Sequence, residues 1–222
     1  MPQIFHRSFN TVSKVTIFGA VFLLAALAWV MRTLARSSYV TGAHTALVQP
    51  VQFSHEHHAG RLRIDCRFCH NSVEQSSFAG MPSTKTCMTC HHEIWFGSPE
   101  LEPVRESYRS LQTVAQPIAW QRVHHLAEFA YFDHSIHVRK GIGCSSCHGR
   151  VDQMAILYQT ETLLMEWCLD CHRDPKPHLR RQRDIYNFDW QGLESEATQQ
   201  ELLQTYGIRS PRELTSCSVC HR

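Results

Sequence analysis

One short pattern, Cys-x-x-Cys-His, occurs five times in the 222-residue sequence and uses all ten cysteines. In this pattern the two cysteine sulfurs form thioether bonds to the vinyl groups of one haem, and the histidine binds its iron. The sequence therefore predicts five covalently attached haem c groups. The predicted attachment residues are Cys66, Cys69, Cys87, Cys90, Cys144, Cys147, Cys168, Cys171, Cys217 and Cys220, and the predicted proximal iron ligands are His70, His91, His148, His172 and His221.

Two other uses of ten cysteines are disulfide bonds and zinc sites. A disulfide scaffold would not require a histidine after every second cysteine. Zinc sites combine two Cys-x-x-Cys pairs, or one such pair with two spaced histidines, so five pairs would leave an odd half-site. Both uses fit the pattern less well than haem attachment.

Eleven of the sixteen histidines lie outside the five motifs, and two segments arrange some of them alike. Phe53–His58 and Phe132–His137 both read Phe-x-His-x-x-His, and each precedes two attachment motifs. Imidazoles three residues apart on a helical turn share one side and can serve two neighbouring irons. Bis-histidine ligation would close the position at which a substrate binds iron. The predicted distal ligands are His55, His58, His134 and His137.

A fifth distal ligand must come from outside the two similar segments. His124 is predicted for this role because it precedes the second segment without belonging to the repeated unit. His92 competes with it because it directly follows the second motif, as in small multihaem cytochromes of the class III type. Further candidates for the fifth ligand are His44, His125, His178, Met81 and Met154.

The repeated order of parts predicts an internally duplicated two-haem unit. The expected fold is a multihaem cytochrome c, in which short helices and coil pack around five haems after one transmembrane helix. The glycine and prolines of Gly97–Pro103 are expected to break regular structure, as are Pro175 and Pro177. Short helices are expected at Val104–Val114 and Leu193–Thr205. The predicted ranges are 36–100 and 120–180 for the two-haem units, 101–119 for a linker, and 181–222 for the segment with the fifth haem.

The N-terminal region contains an apolar run from Val15 to Met31, flanked by Lys14 and Arg32. Its length suits a transmembrane helix, so residues 15–35 are predicted as an anchor and residues 1–14 as a cytoplasmic N-terminus. A cleavable signal peptide is the alternative, since Ala26–Ala28 resembles a cleavage site. The flanking basic residues are balanced and do not decide orientation. Because c-type cytochromes receive haem outside the cytoplasmic membrane, the haem segment is expected on the periplasmic or outer side of a bacterial inner membrane.

Net charge and motif content exclude several functions. A formal net charge of +2 and a pI near 8.1 do not indicate a nucleic-acid binder. The densest basic cluster, Arg180–Arg183, is expected to be a solvated surface or a partner of haem propionates, with a docking patch as the alternative. The sequence has no nucleophile elbow or phosphate loop, and Asp133, Asp152 and Asp170 are interpreted as turn or capping residues.

Taken together, these features resemble the membrane-anchored pentahaem cytochrome c subunit of alternative complex III, a bacterial quinol oxidoreductase. The resemblance spans nearly the whole chain and depends on the N-terminal helix and on haem motifs grouped two, two and one. It also includes the segments Phe53–His55, Arg122–His124, Phe132–His137 and Cys144–Met154. Menaquinone reductase complexes of sulfate reducers carry a similar subunit with an additional haem and are the nearest confusable family.

The resemblance implies a respiratory electron-transfer subunit rather than a separate enzyme. Its expected partners are an iron–sulfur subunit, a multispan quinol-oxidising membrane subunit and a monohaem cytochrome c. A stand-alone multihaem quinol dehydrogenase is the main competing function, but that class places its first haem motif close behind the helix, whereas Cys66 lies 35 residues after Met31. A small-molecule reductase would need an open iron position, against which the surplus of histidines argues.

Overall fold

The computed structural model describes residues 4–192 and 195–221, and the chain divides at Ala43 into two compact units. The first unit contains helix α1, Phe9–Ala35, and the short helix α2, Ser38–Thr41. Its 27 residues make α1 about 40 Å long at about 1.5 Å per residue. By length and composition α1 can cross a membrane, although a signal sequence would satisfy the same criterion. The helix begins at Phe9, before the predicted start at residue 15.

The second unit, from His44 onward, is built of short helices and irregular chain. In the described part of this unit, extended pairing is limited to two isolated bridges, Ala46 with Tyr158 and Ile142 with Leu179. A π-helix spans Glu56–Arg61. The α-helices are α3 Cys66–Cys69, α4 Thr84–His91, α5 Glu102–Ser110, α6 His134–Arg139, α7 Ser145–His148, α8 Met165–Arg173, α9 Glu196–Thr205, α10 Pro211–Leu214 and α11 Cys217–Cys220.

The prolines of the 97–103 segment start helices instead of breaking regular structure. A 3₁₀ turn begins at Pro99, and α5 begins at Glu102 with Pro103 in its first turn. Proline is tolerated there because the first amide groups of a helix have no intrahelical acceptor. The predicted break was therefore wrong, and α5 ends at Ser110 rather than at residue 114.

The C-terminal boundaries agree better with the sequence. Helix α8 ends at Arg173, before Pro175, as expected from the restriction that proline places on the preceding residue. Helix α9 begins at Glu196, where the Ser195 side chain caps it by accepting from the Thr198 amide, and it ends at Thr205 as predicted. Residues 193 and 194, where that helix was predicted to begin, lie outside the described residues.

Two small apolar clusters connect segments that are distant in sequence. One contains Val51, Met88 and Val104, and the other contains Val73, Val138 and Ile185. The second cluster brings together the regions after the first haem motif, on α6, and near residue 185. Such small clusters bury little apolar surface for a chain of this length, so the polypeptide alone provides only part of a core.

The π-helix packs against the 3₁₀ turn Val151–Gln153. The Glu56 amide donates to the Met154 carbonyl at 3.0 Å. A Cβ on Gly60 would lie 2.1 Å from the Asp152 carbonyl oxygen, so only glycine permits this approach. This contact fixes the segment that carries His55 and His58 against the chain that follows the third motif.

Candidate haem-binding sites

Each Cys-x-x-Cys-His motif includes one helical turn, in α3, α4, α7, α8 and α11. Helical bonds from the histidine amide to the first cysteine carbonyl measure 2.8 Å for His70, 3.0 Å for His148 and 2.9 Å for His221. On a helical turn, residues three and four positions apart lie on one face. Both cysteines and the histidine of each motif can therefore approach one flat ligand.

None of the ten cysteines forms a disulfide bond. Burial, followed by the neighbouring thiols, raises the pKa of Cys147 to about 12, and burial raises the pKa of Cys171 to about 11. These groups are therefore neutral thiols at physiological pH, the form whose S–H adds to a vinyl group. Among residues 4–192 and 195–221, no three histidine, cysteine, aspartate or glutamate side chains form a group that could hold a metal ion by themselves.

The proximal histidines are oriented mainly by backbone carbonyls. In four of them Nδ1–H donates to a carbonyl oxygen. The pairs are His70 with Gly80 at 2.8 Å, His91 with Ile94 at 2.9 Å, His172 with Leu214 at 3.0 Å, and His221 with Phe129 at 3.0 Å. A carbonyl only accepts, so Nδ1 must carry the proton and Nε2 keeps its lone pair. This is the arrangement found around metal-bound imidazoles.

His148 has a different partner. Its Nδ1 lies 3.1 Å from Nε2 of His124. Burial, followed by the charges of His124 and His134, lowers the pKa of His148 to about 3. The imidazole is therefore neutral at physiological pH, as a metal ligand must be.

The two Phe-x-His-x-x-His segments form the same local structure. Phe53 lies edge-on to His55 at 4.9 Å between ring centroids and stacks on His58 at 4.4 Å. The corresponding distances from Phe132 are 4.7 Å and 4.4 Å.

In both segments, the Nδ1–H of the second histidine donates to the carbonyl four residues earlier. His58 bonds Ser54 O at 2.8 Å, and His137 bonds Asp133 O at 2.7 Å. His134 bonds Ser77 O at 2.8 Å. The Nε2 atoms of these three histidines are thereby left as acceptors.

Three histidine pairs have the spacing that one iron requires. Two imidazoles binding opposite sides of a metal, each with Nε2 at about 2 Å, have ring centroids roughly 6 Å apart. The separations are 6.2 Å for His58 and His91, 6.4 Å for His134 and His148, and 6.2 Å for His137 and His172. The spacing fits an iron at the second, third and fourth motifs.

His55 is the predicted ligand nearest to the first motif. Its Nδ1 is buried and has no hydrogen-bond partner. Burial, followed by the charges of His70 and His58, lowers its pKa to about 4. The lowered pKa keeps the ring neutral at physiological pH, as a metal ligand must be.

The structure does not bring His124 to the fifth motif. Its Nε2 faces His148, and among the described residues the ring that contacts His221 is Phe129, with centroids 5.9 Å apart. His124 was predicted as a fifth distal ligand without a particular iron, and it stays a prediction. Of the competing candidates, Met154 is buried beside the π-helix, and the His92 Nδ1–H donates to Met88 O at 2.9 Å, leaving Nε2 available.

Burial raises the pKa of several attachment thiols, and a thiol of another motif is the next cause. With the motifs numbered in chain order, the pairs are Cys90 of the second with Cys69 of the first, Cys66 of the first with Cys144 of the third, Cys147 of the third with Cys171 of the fourth, and Cys168 of the fourth with Cys220 of the fifth. The paired motifs therefore lie near one another, and the third motif has the first as a neighbour.

The sequence could indicate only some of the orienting contacts. The carbonyls of Ser54 and Asp133 lie four residues before their histidines, a spacing that a helical turn predicts. The carbonyls of Leu214 and Phe129 lie 42 and 92 residues from theirs. Any residue type provides a carbonyl, so no sequence signal marks these positions.

Comparison with known proteins finds a partial match to a curated protein. The chain is 33% identical over 101 residues to the menaquinone reductase multiheme cytochrome c subunit of Nitratidesulfovibrio vulgaris. The match covers 45% of this chain, and the chain spans only 45% of the length of that relative. No protein-family model matches the chain. The relative is a menaquinone reductase subunit, from the group of complexes that is most easily confused with alternative complex III on sequence.

Proposed function

We propose that the chain holds five haem c groups and is an electron-transfer subunit of a membrane quinol oxidoreductase complex. The observation that carries the haem assignment is the orientation of the predicted ligands. In seven of them Nδ1–H donates to a backbone carbonyl and leaves Nε2 free to bind iron. The match to a multiheme cytochrome c subunit supports the same assignment.

The chain's residues attach and orient the haems. Bound haem c supplies reversible one-electron chemistry. The ten cysteines would form the thioether bonds to the haems, and the five motif histidines would provide the proximal ligands. We assign His55 to the first motif, His58 to the second, His134 to the third and His137 to the fourth. A second histidine at an iron leaves no position for a substrate, which favours electron transfer over catalysis at iron.

The spatial order of the motifs supports a continuous route for electrons. Each motif lies beside the next in the order two, one, three, four, five, so the second and fifth motifs form the two ends. One end would receive electrons and the other would pass them on. Because each intermediate motif lies beside two others, electrons would need neither a branched path nor a separate haem site.

The finer assignment is to the pentahaem subunit of alternative complex III. The motif grouping and the quoted segments support it, whereas the curated relative is a menaquinone reductase subunit. In either complex the partners would be an iron–sulfur subunit and a multispan quinol-oxidising subunit, with a monohaem cytochrome c as acceptor. Helix α1 would anchor the chain in a bacterial inner membrane, with the haem unit on the periplasmic or outer side.

We retain the predicted ranges as part of the proposal. Residues 36–100 and 120–180 form two related two-haem units, joined by 101–119 and followed by the fifth haem segment, 181–222. The equal ring geometry of Phe53–His58 and Phe132–His137 supports a duplication.

Two measurements test this function. The intact mass and the pyridine haemochrome spectrum of the purified chain should give five haems per polypeptide, and zinc or fewer haems would refute the cofactor assignment. Extraction with a mild detergent should recover an iron–sulfur subunit and a multispan subunit with the chain. Purification as a single polypeptide that oxidises quinol would instead establish the stand-alone dehydrogenase.

A further inference from the structure

Arg180 is buried, unlike its basic neighbours. Its residue surface is 3% exposed, whereas Arg181 and Arg183 are exposed. The cluster Arg180–Arg183 was expected to be a solvated surface or a partner of haem propionates, and the first of these roles is wrong for Arg180. Burying a cation costs free energy unless its charge is compensated, so its surroundings need an explanation.

The Arg180 guanidinium lies between an aromatic ring and the backbone. Its Cζ is 4.1 Å from the ring centroid of Trp190. A Cβ on Gly143 would be 2.2 Å from the same Cζ, so the guanidinium lies directly against that glycine. Gly143 immediately precedes the third attachment motif, Cys144–His148.

Hydrogen bonds hold the guanidinium on the third attachment turn. Nη2 donates to Ser145 Oγ at 2.6 Å and to Ser146 Oγ at 3.3 Å, and Nη1 donates to the Asn187 carbonyl at 3.2 Å. Ser145 and Ser146 are the two residues between the attachment cysteines. The side chain is therefore fixed to the turn that would carry the third haem.

The charge of Arg180 has no acidic partner in the described part of the chain. No carboxylate there lies within 4.0 Å of the guanidinium, its hydrogen-bond acceptors are neutral oxygens, and its Nε is buried without an acceptor. Arg105, the other buried arginine among the described residues, differs because it pairs with the carboxylate of Glu102. Asp184 acts on this charge only from beyond hydrogen-bonding distance. Since arginine does not lose its proton in proteins, Arg180 places behind the third motif a positive charge that no directly bonded carboxylate neutralises.

We propose that this fixed charge of Arg180 raises the reduction potential of the haem attached at Cys144 and Cys147. Reduction adds one negative charge to the haem, and a nearby cation in a water-poor setting stabilises the reduced form. The inference rests on the proposed function, because it requires a haem at the third motif. It assigns Arg180 to tuning that haem rather than to docking or solvation.

The test is a spectroscopic redox titration of the purified, haem-loaded chain in detergent. Arg180→Gln removes the charge and keeps a polar side chain of similar reach. One of the five one-electron components should shift so that its reduced-to-oxidised ratio at a fixed potential falls by about tenfold, which is about 59 mV. Arg180→Lys retains the charge and should keep that component close to its original position.

Arg181→Gln is the matched control, because it removes the same charge from an exposed neighbour. Its titration should match that of the unchanged chain. The inference is overturned if Arg180→Gln and Arg181→Gln titrate alike, or if Arg180→Lys shifts as far as Arg180→Gln, since the second result would reflect altered packing rather than charge.

A second variant covers the case in which Arg180→Gln fails to load five haems. Trp190→Leu retains the cation but removes the ring that covers it, so water should screen the charge and shift the same component in the same direction by a smaller factor. An unshifted component in this variant would overturn the inference. The mass of the peptide with Cys144 and Cys147 distinguishes failure of the inference from failure of the proposed function. A haem that is attached but unshifted refutes only the tuning by Arg180. A missing haem in the unchanged chain refutes the proposed function as well.

Discussion

At the scale of single residues, imidazole orientation is the main evidence for function. A hydrogen bond from Nδ1–H to a carbonyl selects the tautomer that can bind metal through Nε2. The ring separations of 6.2–6.4 Å place three histidine pairs at the distance expected for two ligands of one iron. Cysteine and histidine spacing alone predicted the attachment residues and the Phe-x-His-x-x-His histidines. It could not assign the fifth distal ligand, because the contacts of His124 depend on packing between segments distant in sequence.

Replacing His134 tests the distal assignment. His134→Ala should leave all five haems attached, because its proposed bond is to iron and not to the porphyrin edge. One iron should change from low spin to high spin in the electron paramagnetic resonance spectrum. After reduction, the variant should bind one carbon monoxide more per polypeptide than the unchanged chain.

His6→Ala is the control for this experiment, because His6 is an exposed histidine before α1 and is not a candidate iron ligand. It should leave both the spin state and the carbon monoxide binding unchanged. A fully low-spin spectrum in His134→Ala would show that His134 is not an iron ligand.

At the scale of elements, the sequence located helices α1, α5 and α9 but misjudged the role of proline. Pro99 and Pro103 lie in first turns, where the missing amide proton has no consequence, so a composition that indicated a break instead marks two helix starts. The π-helix at Glu56–Arg61 could not be foreseen either. Its form depends on the Met154 carbonyl and on the close approach of Gly60 to Asp152, which come from chain about a hundred residues later.

The Gly60 contact predicts a cost for one added methyl group. Gly60→Ala places Cβ 2.1 Å from the Asp152 carbonyl oxygen, so the π-helix must move. Overpacking of this kind costs about 1–3 kcal/mol. Thermal unfolding of the haem-loaded chain should show a lower Tm, and the ligand-field bands of the irons served by His55 and His58 should shift.

Gly97→Ala is the corresponding control, because a Cβ at Gly97 would meet no atom within 4 Å. Its Tm should stay within experimental error of the unchanged chain. Equal Tm values for both variants would show that the π-helix does not depend on this contact.

At the scale of the whole molecule, the separate N-terminal unit allows membrane attachment and haem binding to be tested independently. A chain that begins at His44, exported with a substitute signal sequence, should load five haems and be released without detergent, because α1 is the candidate membrane helix. Haem content per polypeptide and partition after membrane washing are the measurements. Retention in the membrane after washing would indicate that another surface or partner holds the chain.

Four proximal imidazoles are oriented by main-chain carbonyls rather than by side chains. Ile94 and Leu214 contribute carbonyl oxygens to their proximal rings, so replacing their side chains leaves the acceptors in place. Gly80 differs, because its φ of +88° and a Ser72 Oγ that would lie 2.7 Å from a Cβ require glycine there. Phe129 differs as well, because its ring lies 5.9 Å from that of His221. Substitution at Ile94 or Leu214 should therefore preserve the orientation of His91 or His172 as long as the local chain path is preserved, whereas substitution at Gly80 should disturb His70.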